Sequence, residues 1–420
     1  MSVFANRGSA DKRVWGRVLG ESHVQAIHAP DDVVEQMGAA AKALAAGDAG
    51  AARQTLQRVL AKDPRNLPAW LNLAAAARAM NDYDAALGAL EGALKLDPRN
   101  FFALLGRATL LERMGQAKAA AHAYGVALTQ VPPDDRLDPN SRRAVAHARA
   151  VHARHVDELE GFIRDSLAAA IGDPGPSAAR RASHFIDLTL RKRTNYRQEP
   201  VEFFYPGLPA IEFYDRELFP WLAELEAATA DIRKELIAVF EEDAQSLVPY
   251  IDYPDSVPLD QWAELNRSKQ WSAYHLYLYG ERVEENCRRT PRTMEAISLI
   301  PQPQVPRRSP AAMFSVLQPR TRIPPHTGVA NTRLLVHLPL IVPEGCGFRV
   351  GGETRPWTEG EAWVFDDTVQ HEAWNESDER RTILICDLWS PFLSEVDREI
   401  ITRVMDAMDV YTETAPSSDL

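Results

Sequence analysis

The stretch that decides the fold of the C-terminal half begins with Ile323-Pro-Pro-His326-Thr-Gly-Val329 and resumes at Trp363-Val-Phe-Asp-Asp-Thr-Val-Gln-His371-Glu-Ala-Trp374. Short apolar runs between Gly, Pro and Asp turns are typical of β-strands. Two histidines on different strands can meet, and imidazoles are common ligands of iron and zinc. Their spacing alone leaves two interpretations open: a metal-binding pair, or ordinary polar or core histidines.

The sequence around the two histidines predicts six strands, at 271–279, 313–317, 333–341, 347–350, 361–365 and 382–388. Short strands separated by Gly and Pro turns favour a two-sheet sandwich or jelly roll. We also expect one amphipathic helix over 218–243, where the apolar residues share a stripe, and a closing helix near 395–408.

A 34-residue repeat occupies positions 33–134. Pro64, Pro98 and Pro132 are spaced by 34, and Asp63-Pro-Arg-Asn66 recurs as Asp97-Pro-Arg-Asn100. Small residues recur where two helices would approach closely, at Ala52, Ala86 and Ala120. The unit resembles the tetratricopeptide repeat, a pair of helices. Three units are the usual minimum for a stable stack, so we expect an N-terminal helical solenoid.

The domain organisation that we expect has five segments. They are an N-terminal extension at 1–32, three repeats at 33–134, a capping helix and linker at 135–200, a β-rich domain at 201–410 and a tail at 411–420. The basic run at 178–196 is interpreted as a solvated linker, with a nucleic-acid contact as the alternative.

Composition narrows the class of protein. The 420 residues carry a net charge of −12, which disfavours broad affinity for nucleic acids or anionic membranes. No apolar run reaches 18 residues, so we expect no membrane span. Three widely spaced cysteines, Cys287, Cys346 and Cys386, indicate a reducing compartment. The start lacks the apolar core of a signal peptide, and the cytoplasm is the expected location.

Residues 205–392 resemble the aspartyl/asparaginyl β-hydroxylase family of Fe(II)/2-oxoglutarate dioxygenases. The motifs that carry the resemblance are Phe314-Ser315, His326-Thr-Gly328, Asn331-Thr-Arg-Leu334, His337-Leu-Pro-Leu340, Glu344-Gly-Cys-Gly347, Phe365-Asp-Asp367 and His371-Glu-Ala-Trp374. The resemblance implies a double-stranded β-helix of jelly-roll type with flanking helices. It also implies that glycine, here Gly328, stands where related oxygenases have a third, acidic iron ligand.

By the same resemblance, His326 and His371 match the Fe(II) ligands. Ser315 and Arg381 match the pair that holds the distal carboxylate of 2-oxoglutarate, and His337 lies near the other carboxylate. Arginine suits a carboxylate because its planar fork donates two parallel hydrogen bonds.

One position departs from the family pattern. Better-known members have an arginine two residues before the third histidine, where this chain has Leu335. Positions 333, 335 and 337 share a strand face, so we hypothesise that Arg333 replaces the missing guanidinium. The alternative is that Arg333 is a rim residue.

The resemblance implies a reaction that uses Fe(II), 2-oxoglutarate and O₂ to hydroxylate the β-carbon of Asp or Asn in a protein or peptide. The repeats would recruit that substrate, since stacked helix pairs offer an extended groove. Two alternatives stay open: an oxygenase of a small molecule or lipid, and a scaffold that has lost its chemistry.

Overall fold

The computed structural model describes residues 31–254, 256 and 258–412. Nearly all of the extension at 1–32 and most of the tail at 411–420 lie outside the described residues. The expectation that the chain has no signal peptide concerns the same undescribed N-terminal residues. The chain forms two compact units, one ending at Ser166 and the other beginning at Leu167. Within the described residues, every helix is too short or too polar to cross a lipid bilayer.

The first unit consists of paired helices. They are α1 (Asp31–Ala45), α2 (Ala49–Lys62), α3 (Leu67–Ala79), α4 (Tyr83–Leu96), α5 (Phe101–Arg113) and α6 (Ala117–Leu128), followed by α7 (Pro139–Ile171), in which the division between the units falls. Asn66 and Asn100 cap α3 and α5, since each side chain accepts a hydrogen bond from the amide three residues on. The recurring Asp-Pro-Arg-Asn motif therefore ends one helix pair and begins the next. Helical repeats at the N-terminus are confirmed.

Small residues set the distance between the paired helices. Ala52, Ala86 and Ala120 are fully buried, as their repeat position predicted. Gly92 of α4 lies against the indole of Trp70 on α3, so closely that a Cβ there would stand 2.6 Å from the ring. No larger residue fits this contact without moving the indole.

The second unit contains six helices in its described residues: α8 (Pro176–Thr189), α9 (Leu222–Ala227), α10 (Thr229–Glu242), α11 (Glu284–Arg289), α12 (Pro291–Ile297) and α13 (Glu395–Thr412). Two expectations are corrected here. Most of the basic run at 178–196 is helix α8 rather than linker, because Pro176 suits the first turn of a new helix. The helix expected at 218–243 is divided at Ala228; its apolar stripe continues across the break because both halves enter one core.

The strands are β1 (Val248–Pro249), β2 (Trp271–Leu278), β3 (Glu281–Arg282), β4 (Ala312–Leu317), β5 (Thr321–His326), β6 (Arg333–Ile341), β7 (Cys346–Val350), β8 (Glu353–Pro356), β9 (Trp363–Phe365), β10 (His371–Asn375) and β11 (Arg381–Trp389). All six predicted strands are present. Strands β5 and β10, which carry the two histidines, were not among them. Strand β5 contains Pro324 and Pro325, which fit its place at a sheet edge because proline cannot donate to a ladder.

Two antiparallel sheets build the β-rich domain. One has the order β1-β2-β4-β11-β6-β9, with β3 beside β2, and the other has the order β5-β10-β7-β8. Both contribute to one apolar cluster, for example through Leu335 and Ile383 from the first sheet and Phe348 and Ala373 from the second. We interpret strands β4 to β11, four in each sheet, as the expected jelly roll.

Candidate active site

Two histidines face each other across neighbouring strands of the smaller sheet. His326 ends β5 and His371 begins β10, and their Cα atoms are direct cross-strand partners. The centres of their rings are 4.0 Å apart. Since metal–nitrogen bonds are about 2.0–2.1 Å long, both rings can reach one ion. Strand pairing thus brings together two histidines that are 45 residues apart in the sequence, and the two form a potential metal-binding pair.

Hydrogen bonds fix the same ring nitrogen on both histidines. Nδ1 of His326 donates to the carbonyl of Pro324 at 2.7 Å, and Nδ1 of His371 donates to that of Val369 at 3.1 Å. This tautomer leaves Nε2 unprotonated for a metal. Burial lowers the pKa of His326 to about 4 and that of His371 well below its ordinary value. Both rings are therefore neutral at pH 7, as metal ligands must be.

Arg381 lies in the same cavity, which is lined also by Ser315, His337 and both facing histidines. Arg381 is 2% exposed, and among the described residues no carboxylate forms an ion pair with it. Burial lowers its pKa to about 10, so the guanidinium stays charged at neutral pH. An uncompensated buried cation is unfavourable, which indicates that an anionic ligand completes the site.

Other polar atoms in the cavity also lack partners. Both ring nitrogens of His337 and Nε1 of Trp357 are buried without a hydrogen bond. Burial and the nearby Arg381 charge lower the pKa of His337, so its ring is neutral. Ser315 accepts a hydrogen bond of 3.0 Å from Nε1 of Trp271. Buried polar groups without partners usually mark a place for a ligand or water.

The structure does not bring Arg333 into this group. Leu335 and His337 line the cavity, but Arg333 lies further along β6 and faces a neighbouring cavity. Its Nη2 is 3.5 Å from Oδ2 of Asp367, with which it pairs. The face of β6 that carries residues 333, 335 and 337 is long enough to border two cavities. Arg333 and His337 share that face but line different cavities. Its hypothesised role next to a co-substrate has no support in this geometry.

Asp367 occupies the space beside Gly328. A Cβ on Gly328 would stand only 2.0 Å from Oδ2 of Asp367. Burial raises the pKa of Asp367 to about 7, which the charge of Arg333 opposes. Asp366 accepts hydrogen bonds from Thr368 and Gln198, and neither aspartate accepts one from an imidazole of the described residues. Across the described residues, no three acidic, histidine or cysteine side chains group as metal ligands.

Sequence reasoning missed two aromatic residues of the cavity. Tyr250 stacks on Trp271 with ring centres 3.7 Å apart, and Trp357 lies 5.7 Å from the Arg381 guanidinium. Tyr250 follows a two-residue strand and Trp357 lies in a loop, and neither has a periodic pattern around it. The sequence around Tyr250 and Trp357 therefore gave no reason to place them in the cavity rather than on the protein surface.

A wide groove leads into the cavity and shares Tyr250, Trp271 and His326 with it. Its other lining residues are mainly aromatic or aliphatic, including Trp262, whose ring centre is 5.0 Å from that of His326. Among the described residues, two charged side chains line the groove, Glu199 and Asp260, and both are acidic. The approach to the site is thus apolar and weakly acidic.

Helical repeats followed by an antiparallel β-rich domain with a buried two-histidine cavity define the class of this protein. Residues 226–391 match the family model described as aspartyl/asparaginyl beta-hydroxylase, and residues 43–87 match that of the tetratricopeptide repeat. The chain therefore carries a domain of the aspartyl/asparaginyl β-hydroxylase family together with tetratricopeptide repeats.

Two curated relatives illustrate the similarity. Human aspartyl/asparaginyl beta-hydroxylase is 28% identical over 242 residues, covering 56% of this chain and 32% of the human protein. The ornithine lipid ester-linked acyl 2-hydroxylase of Rhizobium tropici is 33% identical over 199 residues, covering 47% of this chain and 66% of that protein. The chain spans about a third of the human relative's length.

Among solved structures, the type III secretion chaperone SycD of Yersinia enterocolitica is similar to 31% of this chain. The similarity covers 97% of the chaperone, with 16% sequence identity and a TM-score of 0.28. We draw no functional conclusion from a similarity at this level.

Proposed function

We propose that this protein is an Fe(II)- and 2-oxoglutarate-dependent hydroxylase. The observation that carries the proposal is the buried Arg381, which has no ion-pair partner among the described residues and shares one cavity with two facing imidazoles. In the proposal, Nε2 of His326 and Nε2 of His371 hold Fe(II). Arg381 and Ser315 hold the distal carboxylate of 2-oxoglutarate.

The residues present fit both groups. Two neutral imidazoles suit a divalent iron with open coordination positions. A charged guanidinium without an ion-pair partner suits a carboxylate, and the single N–H of the neutral His337 ring, which has no partner among the described residues, suits an acceptor oxygen at the other end of the same molecule. When bound, Fe(II) with 2-oxoglutarate and O₂ supplies the oxidising chemistry for an unactivated C–H bond. The protein positions the reactants and excludes water.

Anaerobic titration tests this proposal without knowledge of the substrate. We expect Fe(II) and 2-oxoglutarate together to give the visible charge-transfer band of a chelated ketoacid. His326→Ala and His371→Ala should each abolish the band. His184→Ala is a matched control, because His184 is half-buried on α8 outside the cavity. A wild-type protein without the band, or a band that survives in both ligand variants, would contradict the proposal.

The first candidate substrate is an Asp or Asn residue of a protein or peptide. Two observations support it: the domain's family match and the helical repeats ahead of it, which fit recruitment of an extended peptide. In this proposal the repeats bind the polypeptide, and the aromatic groove takes the residue that is hydroxylated.

The second candidate is the acyl chain of a lipid. Leu335 lines the cavity where better-known family members have arginine, and no Lys or Arg among the described residues lines the groove. Such surroundings suit an apolar chain better than an acidic side chain. The similarity to the Rhizobium lipid hydroxylase agrees with this candidate.

Substrate-stimulated succinate release separates the two candidates. Peptides that contain Asp or Asn should raise the rate above the uncoupled background if the first is right, whereas dispersed acyl lipids should do so if the second is right. Free aspartate and short-chain esters serve as controls. If neither class stimulates succinate release, both substrate proposals are wrong, but the titration above still reports on the metal and the ketoacid.

A further inference from the structure

The last helix of the chain, α13, presents an apolar face that nothing among the described residues covers. Val396, Ile400, Val404, Met408 and Tyr411 are 68%, 48%, 52%, 44% and 90% exposed. Their spacings of four, four, four and three residues align them along one side of the helix. An adjacent side of the helix is anchored by Ile401 and Met405, which are buried against the β-rich domain. The exposed stripe is therefore additional to the core-facing side.

We propose that this stripe is a homodimer interface in which α13 packs antiparallel against α13 of a second copy. A two-fold axis near position 402 would place Val396 of one copy against Met408 of the other and Ile400 against Val404. The stripe is thus complementary to itself, which is the requirement for a symmetric interface. A single helix face provides only part of the roughly 800 Å² that stable partners bury on each side, so we expect micromolar affinity.

The charges beside the stripe fit the same arrangement. Glu399 and Arg403 flank it on one side and form an exposed ion pair of 2.7 Å within the helix. Two helices related by a two-fold axis present the same flank to each other, which brings Glu399 of each copy to Arg403 of the other. Parallel helices would not form this pair of contacts. Charge complementarity therefore favours an antiparallel second copy.

The composition of α13 argues against a membrane surface as the occupant. The helix contains five acidic residues and two basic ones: Glu395, Asp397, Glu399, Asp406 and Asp409 against Arg398 and Arg403. Helices that lie on anionic bilayers are usually rich in Lys and Arg on the polar side. A net charge of −3 would repel such a surface.

Sedimentation velocity of the full chain over a range of concentrations tests the proposal. We expect a reversible monomer–dimer equilibrium in the wild type. Val404→Glu should raise the dimer dissociation constant about a hundredfold or more, because the charge enters the centre of the interface twice. Ile237→Glu is a matched control, since Ile237 is a 40% exposed residue of helix α10. A concentration of about 100 μM is roughly a hundred times a low-micromolar dissociation constant. If the wild type is still monomeric at that concentration, the proposed dimer is wrong, even if another molecule covers this face of α13.

A charge-exchange experiment tests the antiparallel orientation. Glu399→Arg alone and Arg403→Glu alone should each weaken the dimer about tenfold, because both symmetric contacts become repulsive. An equimolar mixture of these two variants should form a heterodimer of wild-type strength, since every contact across the interface is then between opposite charges. Within each helix the pair stays like-charged, so only an intermolecular contact explains the rescue. If the mixture is as weak as the separate variants, the proposed arrangement is wrong.

Discussion

At the scale of single residues, the choice between Arg380 and Arg381 shows how strand geometry selects a functional side chain. Neighbouring residues of a strand face opposite sides of the sheet. Arg381 points into the cavity and is buried, while Arg380 is exposed and lies over the ring of Phe240 at 3.8 Å. Arg381 is therefore the one of the two that lines the cavity, whereas its role with 2-oxoglutarate stays a proposal.

This contrast yields a prediction for ligand binding. Arg381→Leu should raise the concentration of 2-oxoglutarate needed for half-saturation by at least about a hundredfold, because a buried charge pair is lost. Arg380→Leu should leave that concentration unchanged. Binding is measured by calorimetry under anaerobic conditions with Fe(II). Similar effects of the two substitutions would show that Arg381 does not bind the ketoacid.

The same substitution should not destabilise the ligand-free protein. Arg381 is a buried cation with no ion-pair partner among the described residues, and replacing such a group by an apolar one is often neutral or stabilising. We expect the melting temperature of ligand-free Arg381→Leu to equal or exceed that of the wild type, measured by scanning calorimetry. The stabilisation that 2-oxoglutarate gives to the wild type should disappear. A large drop in the melting temperature would instead indicate a structural role.

At the scale of secondary-structure elements, strong sequence patterns were reliable and weak ones were not. The six strands with apolar or alternating runs were predicted because burial imposes their composition. The two histidines were expected on strands, but the bounds of β5 were not predicted because its two prolines contradict strand propensity, which a sheet edge tolerates. Helix α8 was mistaken for a linker because its charged residues form ion pairs in the fold, such as those of Arg180 and Arg181 with Asp215.

The helix pairs of the repeats provide a prediction with an internal control. Gly88 and Gly92 both lie in α4, but a Cβ at Gly88 meets nothing within 4 Å whereas one at Gly92 meets Trp70. Gly88→Ala should stabilise α4 by about 0.5–1 kcal/mol, since alanine favours helix. Gly92→Ala should destabilise the α3–α4 pair by about 1–2 kcal/mol, because the indole is displaced. Hydrogen exchange of the α3 and α4 amides measures both, and the same sign for both would refute the close-approach argument.

At the scale of the whole molecule, we expect the two compact units to respond differently to Fe(II) and 2-oxoglutarate. A ligand stabilises only the structure that binds it. Fe(II) and 2-oxoglutarate should therefore slow amide exchange in β5, β10 and β11 of the second unit, while helices α1 to α6 exchange at unchanged rates. Hydrogen exchange with mass spectrometry of the full chain, with and without both ligands, makes this comparison. Equal protection of the repeats would reveal energetic coupling between the units.

The sequence by itself determined the helical repeats, most strands of the β-rich domain and the identity of the candidate residues, because periodicity and burial act locally and leave a pattern in the chain. Only the tertiary structure decided which of these residues share a cavity. It paired His326 with His371 across β5 and β10, isolated Arg381 from any acidic partner in the described residues, and turned Arg333 toward Asp367. These outcomes depend on strand register and on contacts between distant segments, which no local pattern encodes.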